Sequence, residues 1–354
     1  MSSQESFRPA LSIVAVAKKR APILDLARRA EELNFAGIAC PSLGATMGLC
    51  VSLAHVTSRI KFWTSIQPIY YSHAIEMANT AAHIHEISNG RFGLGLGVSH
   101  APVVSRLGAN SSTPIADIKN YVEAMRAQSR CSGELPPIYL AALRNKMLAV
   151  ATEISEGAVW ANASRKSISG QVALIPESRR NEMFLANMIP TVISDDVNSA
   201  RDVHRKTLTG YATLPNYRNY WRSCGYGEQI DAFEKVLASA KPENRAAELI
   251  AAMDNEWLDD CTLSGDADTV REGLYSWSQS GVLPIAVMSS TSGGQAQAIN
   301  QLFDAFNEPL DRSASWAETS AIDPVHDELG LRVRSRVLAR PSPCLGVMNL
   351  FVQG

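Results

Sequence analysis

The chain has 354 residues, 46% of them hydrophobic, and a formal net charge of -2. That length is ample for a large core, and the near-neutral balance excludes an electrostatic case for nucleic acid or an anionic membrane as partner. No run approaches the roughly 18 apolar residues needed to cross a bilayer, and six scattered cysteines without a C-x-x-C pair exclude a disulfide framework or a zinc site as the expected organisation.

Leu11–Ala17 reads as a first strand. Pro22 then stands where helix starts favour proline, ahead of Ile23, Leu26, Ala27, Ala30 and Leu33 at helical spacing. Gly37–Pro41 is a short second strand, followed by a helix through Leu49, Leu53 and Val56. Ile60–Ile66 is a third strand, and a helix over Ile75–Ile87 leads into a fourth. There Phe92, Leu94, Leu96 and Val98 alternate with Gly93, Gly95 and Gly97, so one face is apolar and the other carries no side chains. Three glycines on one face point either to a bulky group close to that backbone or to a tight barrel interior. A dinucleotide fingerprint fails, because the third glycine of G-x-G-x-x-G falls on Val98 or His100.

A helix at Ile115–Gln128 precedes a fifth strand, Pro137–Leu143. Met147–Ile154 is helical and Ala158–Ala161 is a sixth strand. Phe184–Ile193 and Leu283–Met288 supply the seventh and eighth. Between these two, Asn198 to Cys261 carries several helical patterns, interrupted at Leu214-Pro215-Asn216-Tyr217, and reads as a helical insertion at a barrel rim. Asp266 is placed to cap a helix over Val270–Ser278, which Gly281 closes.

Eight strands, most followed by a helix, imply right-handed crossovers and a parallel sheet. Eight such units in this length favour a closed α/β barrel, the (β/α)8 or TIM fold, over residues 1–310. The pattern dissolves beyond Pro309, and 311–354 is expected to be a tail of uncertain order. The polar start Met1 to Arg8 lacks the basic-then-apolar order of a signal peptide, so a cytoplasmic setting is expected.

Several of these segments line up with one family. Ile87-Ser-Asn-Gly-Arg-Phe-Gly-Leu-Gly-Leu-Gly resembles the glycine-rich signature of the bacterial luciferase-like flavin and deazaflavin oxidoreductases. Pro137-Ile-Tyr-Leu-Ala-Ala-Leu, running on through Lys146-Met147 and Glu153-Ile-Ser-Glu-Gly157-Ala-Val-Trp, is similar to that family's fifth-strand, helix and sixth-strand block. Thr64-Ser65-Ile66 with Pro68 resembles its third strand, and Gly265 to Leu274 with Gly281 the element before its last. The likeness spans roughly residues 10 to 305 and is closest to the methylenetetrahydromethanopterin reductase branch of coenzyme F420-dependent enzymes.

The resemblance implies a luciferase-like TIM barrel with its cofactor at the C-terminal strand ends, and a non-prolyl cis bond at Ser65–Ile66 against which the cofactor ring packs. It implies that Gly97, Val98 and Ser99, with the turn Ala142-Leu143-Arg144, receive the cofactor's phosphate and part of its ring. Exposed amides at that helix start favour an anion, and Arg144 adds a charge-assisted bond or is a solvated surface arginine. Asn162 ends the sixth strand in a similar position.

His100, at the end of the fourth strand, either contacts ring or substrate or is an ordinary loop histidine. Tyr70 and Tyr71 follow the expected cis bond, and one of them lines the substrate side. The family's sugar-phosphate dehydrogenases carry an acidic residue and a histidine where this chain has Cys40-Pro41-Ser42, which leaves Ser42 as the polar contact. His100, Ser42 and Tyr70 are thus the catalytic candidates. Ser65, Ile66, Gly97, Val98, Ser99, Ala142, Leu143, Arg144 and Asn162 are the cofactor-binding ones. No metal site is expected, since His83 and His85 stand two apart and diverge on a helix.

The resemblance implies a coenzyme F420 (deazaflavin) oxidoreductase transferring a hydride to or from a small organic substrate, as a homodimer. Two alternatives stay open: an FMN-dependent monooxygenase, and a flavin- or deazaflavin-binding protein without turnover. The loop Ala101–Pro114 and the insertion are the expected lids.

Overall fold

Short branched and apolar runs become strands because each can bury both faces only in a sheet covered by helices. A computed structural model describes residues 6–108, 113–241 and 243–307. Its strands are β1 (Ala10–Ser12), β2 (Gly37–Cys40), β3 (Phe62–Thr64), β4 (Gln67–Pro68), β5 (Phe92–Gly97), β6 (Ile138–Ala141), β7 (Gly157–Ala161), β8 (Phe184–Ile193), β9 (Leu263–Gly265) and β10 (Leu283–Ser289). They pair in parallel in the order β10-β1-β2-β3-β5-β6-β7-β8, and β8 pairs back onto β10, which closes the barrel. Past Thr64 the third strand resumes as β4 against β5, and β9 extends the sheet beside the end of β8. The TIM barrel read from the sequence is therefore the fold. The first strand is shorter than Leu11–Ala17: Val16 N bonds Val14 O and Lys19 N bonds Val16 O, so the chain turns instead of pairing.

The helices are α1 (Arg20–Glu32), α2 (Thr46–Val56), a single turn over Ile69–Tyr71, α3 (Ala74–Ile87), α4 (Ala101–Arg106), α5 (Pro114–Ala127), α6 (Ser129–Ser132), α7 (Asn145–Ile154), α8 (Arg165–Ala173), α9 (Glu177–Arg180), α10 (Val197–Ala212), α11 (Pro215–Ser223), α12 (Gly227–Ser239), α13 (Arg245–Ala251), α14 (Asn255–Cys261), α15 (Ala267–Ser278) and α16 (Gln295–Ala305). The insertion is α10 to α14, and Pro215 opens α11 at its first turn, where a missing N–H costs nothing. Asp266 caps α15 through Thr269 N at 2.8 Å. The loop expected at Ala101–Pro114 begins instead with α4, the first part of it being helical. No helix among the described residues is long and apolar enough to cross a membrane. The tail 311–354 lies outside the described residues.

The strand registers stagger so that alternate strands supply each interior layer. Gly37, Gly93 and Gly157 with Leu283 form a low layer, and Ala10, Trp63, Tyr139 and Ala186 lie above it. A Cβ at Gly37 would fall 2.3 Å from the Trp63 ring, and one at Gly93 2.5 Å from the Tyr139 ring. Phe184 completes the plug, 4.9 Å from Trp63 and 4.5 Å from Tyr139 between ring centroids. Large rings and bare backbone are thus reciprocal, which is how a barrel of this width reaches close packing.

The stretch Ser88 to Arg91 lies at the opposite end from the mouth. Asn89 and Gly90 take positive φ, +52° and +77°, and turn the chain from α3 into β5. Arg91 then donates to Ser88 O, Thr57 Oγ1, Ile60 O, Ala54 O and Thr57 O at 2.8–3.2 Å, and its guanidinium lies over Phe62. One side chain so gathers the ends of α2 and α3 with the entry to β3.

Candidate active site

At the C-terminal end of the barrel the topmost filled layer is Ser12, Ser65, Ala141 and Met188. Ser65 Oγ donates to Met188 Sδ at 3.1 Å across the axis, and Ser65 N bonds Cys40 O at 2.8 Å. The Ser65–Ile66 bond is cis, as the resemblance implied. Ala141 and Met188 of this floor and the inward residues Val14, Ile66, Ala161 and Val287 above it are half-buried, while the neighbours on either side of each are buried. The mouth is therefore reached by solvent and walled by uncharged, apolar groups.

The bare face of β5 does not lie open to a ligand. A Cβ at Gly95 would fall 1.9 Å from Thr64 O, and one at Gly97 2.7 Å from Ile66 Cδ1 and 3.1 Å from Ala141 Cβ. Of the two readings left open by the glycines, the tight barrel interior is the one observed: the space over Gly97 belongs to Ile66. It is Ile66, half-buried, that presents a surface to the mouth. The structure does bring Ser65, Ile66, Gly97 and Ala141 together.

Other expected residues divide. Val98 and Ser99 are half-buried beyond β5, Ser99 with φ +60°, and His100 begins α4. Ala142 is buried and its amide is spent on Val159 O at 3.0 Å. Leu143 O accepts from Gln171 Nε2 at 3.1 Å, which fixes the turn, and Arg144 is the exposed residue ahead of α7, whose first amides have no intrahelical acceptor. Ser42 is half-buried in the loop before α2. Tyr70 is half-buried, its hydroxyl donates to Asp117 Oδ2 on α5 at 2.6 Å, and Tyr121 of that helix donates to Ser72 O. The Tyr70–Asp117 bond ties the chain after the cis bond to α5. Asn162 is 4% exposed, φ +56°, with its carbonyl taking Trp221 Nε1 at 3.2 Å, so it is covered by the insertion and does not face open solvent.

The sequence did not reveal what lies over His100. Its ring centroid is 5.8 Å from Tyr217 and 6.4 Å from Tyr211, both on insertion helices, and Tyr217 continues through Trp221 to Trp257 at 5.3 and 5.0 Å. Burial under these rings lowers the His100 pKa below its usual 6.5, so the imidazole is neutral at pH 7. Burial also pushes both tyrosines up, Tyr217 further through its neighbour Tyr211. The insertion also braces the turn before α7: Tyr220 accepts from Ser164 N and donates to Gln171, which holds Leu143 O and Asn145. The only sequence signal for this wall was Tyr217, Tyr220 and Trp221 recurring on one face of α11.

Among the loops that leave the strand ends, the sequence places carboxylates only after β8 and β9, at Asp195, Asp196 and Asp266. Asp196 and Asp266 cap α10 and α15. A flat heteroaromatic ring fits such a mouth: apolar walls of Ile66, Met188 and Val287, and Arg144 with the α7 amides for an anionic tail. Among the described residues no three His, Cys, Asp or Glu side chains are grouped to hold a metal.

A profile of the family described as luciferase-like monooxygenase matches residues 6–283. A protein of Mycobacterium tuberculosis named as a coenzyme F420-dependent oxidoreductase is 25% identical over 296 residues, covering 70% of this chain and 82% of the relative. The coenzyme F420-dependent tetrahydromethanopterin reductase of Methanopyrus kandleri superposes with a TM-score of 0.67 at 18% identity, over 84% of this chain and 97% of that one. The oxygenating constituent of 3,6-diketocamphane monooxygenase from Pseudomonas putida, solved with FMN, superposes with a TM-score of 0.54 at 15% identity, over 83% and 97%. At these identities the two structures carry the fold alone.

Proposed function

The chain belongs to the luciferase-like monooxygenase family, and from that premise we propose that this enzyme is a coenzyme F420-dependent oxidoreductase moving a hydride between the deazaflavin and a small organic substrate. The observation that carries the reading is the mouth itself, apolar and open to solvent, with His100 half-buried beside Tyr211 and Tyr217. Hydride transfer to an activated carbon does not require a strong protein acid. When bound, the deazaflavin supplies the hydride-accepting or hydride-donating carbon.

The residues then have limited tasks. Ile66, Met188 and Val287 hold the ring by apolar contact, and Arg144 with the α7 amides takes its phosphate. His100, neutral under Tyr211 and Tyr217, offers a hydrogen bond to the substrate. The insertion, resting on Asn162 and Ser164, excludes water from that side, which strengthens every polar contact within. A homodimer is part of the proposal on the family likeness.

The second reading is an FMN-dependent monooxygenase, for which the same walls provide a dry pocket and Arg144 the phosphate contact. Titration of the purified chain with each cofactor separates them. Quenching of deazaflavin fluorescence at micromolar protein, with FMN bound far more weakly, is the expected result. Tight FMN binding with oxygen uptake in the presence of reductant, and no deazaflavin quenching, overturns the first reading.

A further inference from the structure

We propose that Tyr217, positioned by Asn162 and flanked by Tyr211 and His100, is a hydrogen-bonding receptor for an uncharged oxygen, carbonyl or hydroxyl, on a molecule lying in the mouth. The inference rests on the reading of the mouth as the active site and adds the polar group its occupant carries. The observation behind it is an amide without a partner. Asn162 is 4% exposed, and its Nδ2 makes no hydrogen bond. The residue before it, Ala161, is one of those that line the mouth. A donor buried so deeply and left unmet costs the fold, and an acceptor brought by a ligand offsets that cost.

The amide lies against the Tyr217 hydroxyl without closing a hydrogen bond to it, and favours negative charge on the phenol oxygen. Trp221 Nε1, one turn along α11 from Tyr217, donates to Asn162 O at 3.2 Å, so the helix holds the two residues in register. Two more polar rings stand beside the hydroxyl. Between ring centroids Tyr211 is 5.0 Å from Tyr217 and His100 is 5.8 Å from it. Neither His100 nor Tyr211 has a side-chain hydrogen-bond partner among the described residues. Both are half-buried, so solvent reaches the cluster on their side.

The four groups come from four elements: His100 follows β5, Asn162 follows β7, Tyr211 is on α10 and Tyr217 on α11. One such group alone is ordinary; their convergence is what points to a ligand. They also share one chemistry. The amide and the two phenols donate, and burial keeps both phenols protonated and the imidazole neutral at pH 7. The set includes no cation, and Arg218, next to Tyr217 in sequence, is spent on Glu234 and Ala212 O. Neutral donors under aromatic cover suit a neutral acceptor, whereas a carboxylate there lacks a counter-charge. The oxygen belongs either to a carbonyl of the substrate or to a hydroxyl of the chain that joins the cofactor's ring to its phosphate.

Calorimetric titration of the full chain with paired probes tests this. Acetophenone and α-methylstyrene share a shape and differ in the oxygen; riboflavin and lumiflavin share a ring and differ in the hydroxylated chain. Wild type should prefer the oxygen-bearing member of one pair by about tenfold, the worth of a buried hydrogen bond. It should bind benzoate more weakly than acetophenone. Tyr217→Phe, which removes a single oxygen atom, should abolish the preference while leaving α-methylstyrene and lumiflavin as in wild type. Asn162→Gly, which accepts the φ of +56°, should reduce it, and carries the comparison alone if Tyr217→Phe does not fold. The carbonyl stretch of bound acetophenone should rise in Tyr217→Phe, a shift that a packing role does not produce. A preference for acetophenone assigns the oxygen to substrate, and one for riboflavin alone assigns it to the cofactor. No preference in either pair, a preference that survives both substitutions, or tighter binding of benzoate than of acetophenone overturns the proposal. A preference lost on substitution in a chain that takes neither F420 nor FMN leaves the receptor standing while sinking the cofactor reading.

Discussion

Ile66 occupies the space that a side chain at position 97 would need, since a Cβ there falls 2.7 Å from Ile66 Cδ1 and 2.9 Å from Cγ1. Gly97→Val should therefore destabilise the barrel by about 1–3 kcal/mol through overpacking. Adding Ile66→Ala should recover part of that loss. Urea unfolding of the two single variants and the double gives the coupling; costs that simply add would show that the two positions do not compete for one volume.

Arg91 makes five hydrogen bonds at the end of the barrel away from the mouth. Lysine cannot reproduce a planar guanidinium that serves four carbonyls and a hydroxyl together. Arg91→Lys should cost about 2–4 kcal/mol in unfolding free energy by leaving part-buried carbonyls unpaired. Cofactor affinity of the folded fraction should stay at the wild-type value. A loss of affinity with stability intact would move this residue's role to the site.

His204 gives the chain an acid-sensitive stability. Nε2 donates to Leu263 O at 2.9 Å, and burial lowers its pKa to about 4. Between the unfolded value of about 6.5 and that lowered value, the unfolded chain takes up a proton that the folded one refuses. Stability should then fall as pH drops from 6.5 towards 4, by roughly 3 kcal/mol from this group, and level off below. His204→Gln keeps a donor for Leu263 O and should flatten that part of the pH–stability curve; an unchanged slope would assign it to other groups.

The pH dependence of turnover tests His100 separately. Burial lowers its pKa below 6.5, so an acid limb from this group lies under that value, with activity lost as the ring takes a proton. His100→Gln should remove the limb. Tyr217→Ala, which opens the ring to water, should move the limb up towards 6.5. A limb that persists in both variants belongs to the substrate or cofactor.

Arg144 is exposed and without a salt-bridge partner among the described residues. Arg144→Ala should weaken FMN about 5–10-fold, a modest effect because solvent screens an exposed charge. Riboflavin, which lacks the phosphate, should bind as it does to wild type. Equal losses for both ligands would place the phosphate elsewhere.

What the chain alone determined is what local patterning can encode. Alternation of period two, helical spacing and caps such as Asp266 specify eight strand–helix units and their order, because each depends on residues within a few positions of one another. The helical insertion after Ile193 followed from patterning of similar reach, whereas the cis bond at Ser65–Ile66 followed only from the family resemblance. Tertiary structure alone decided what faces what. The glycines of β5 read equally as a ligand slot or a tight interior until closure brought in Tyr139, Thr64 and Ile66 from other strands. Nothing local said that α5 would bring Asp117 to the Tyr70 hydroxyl, or that Tyr211 and Tyr217 would cover His100. Such pairings join residues tens to more than a hundred positions apart, and they are fixed by strand register and barrel stagger, which no short window of sequence contains.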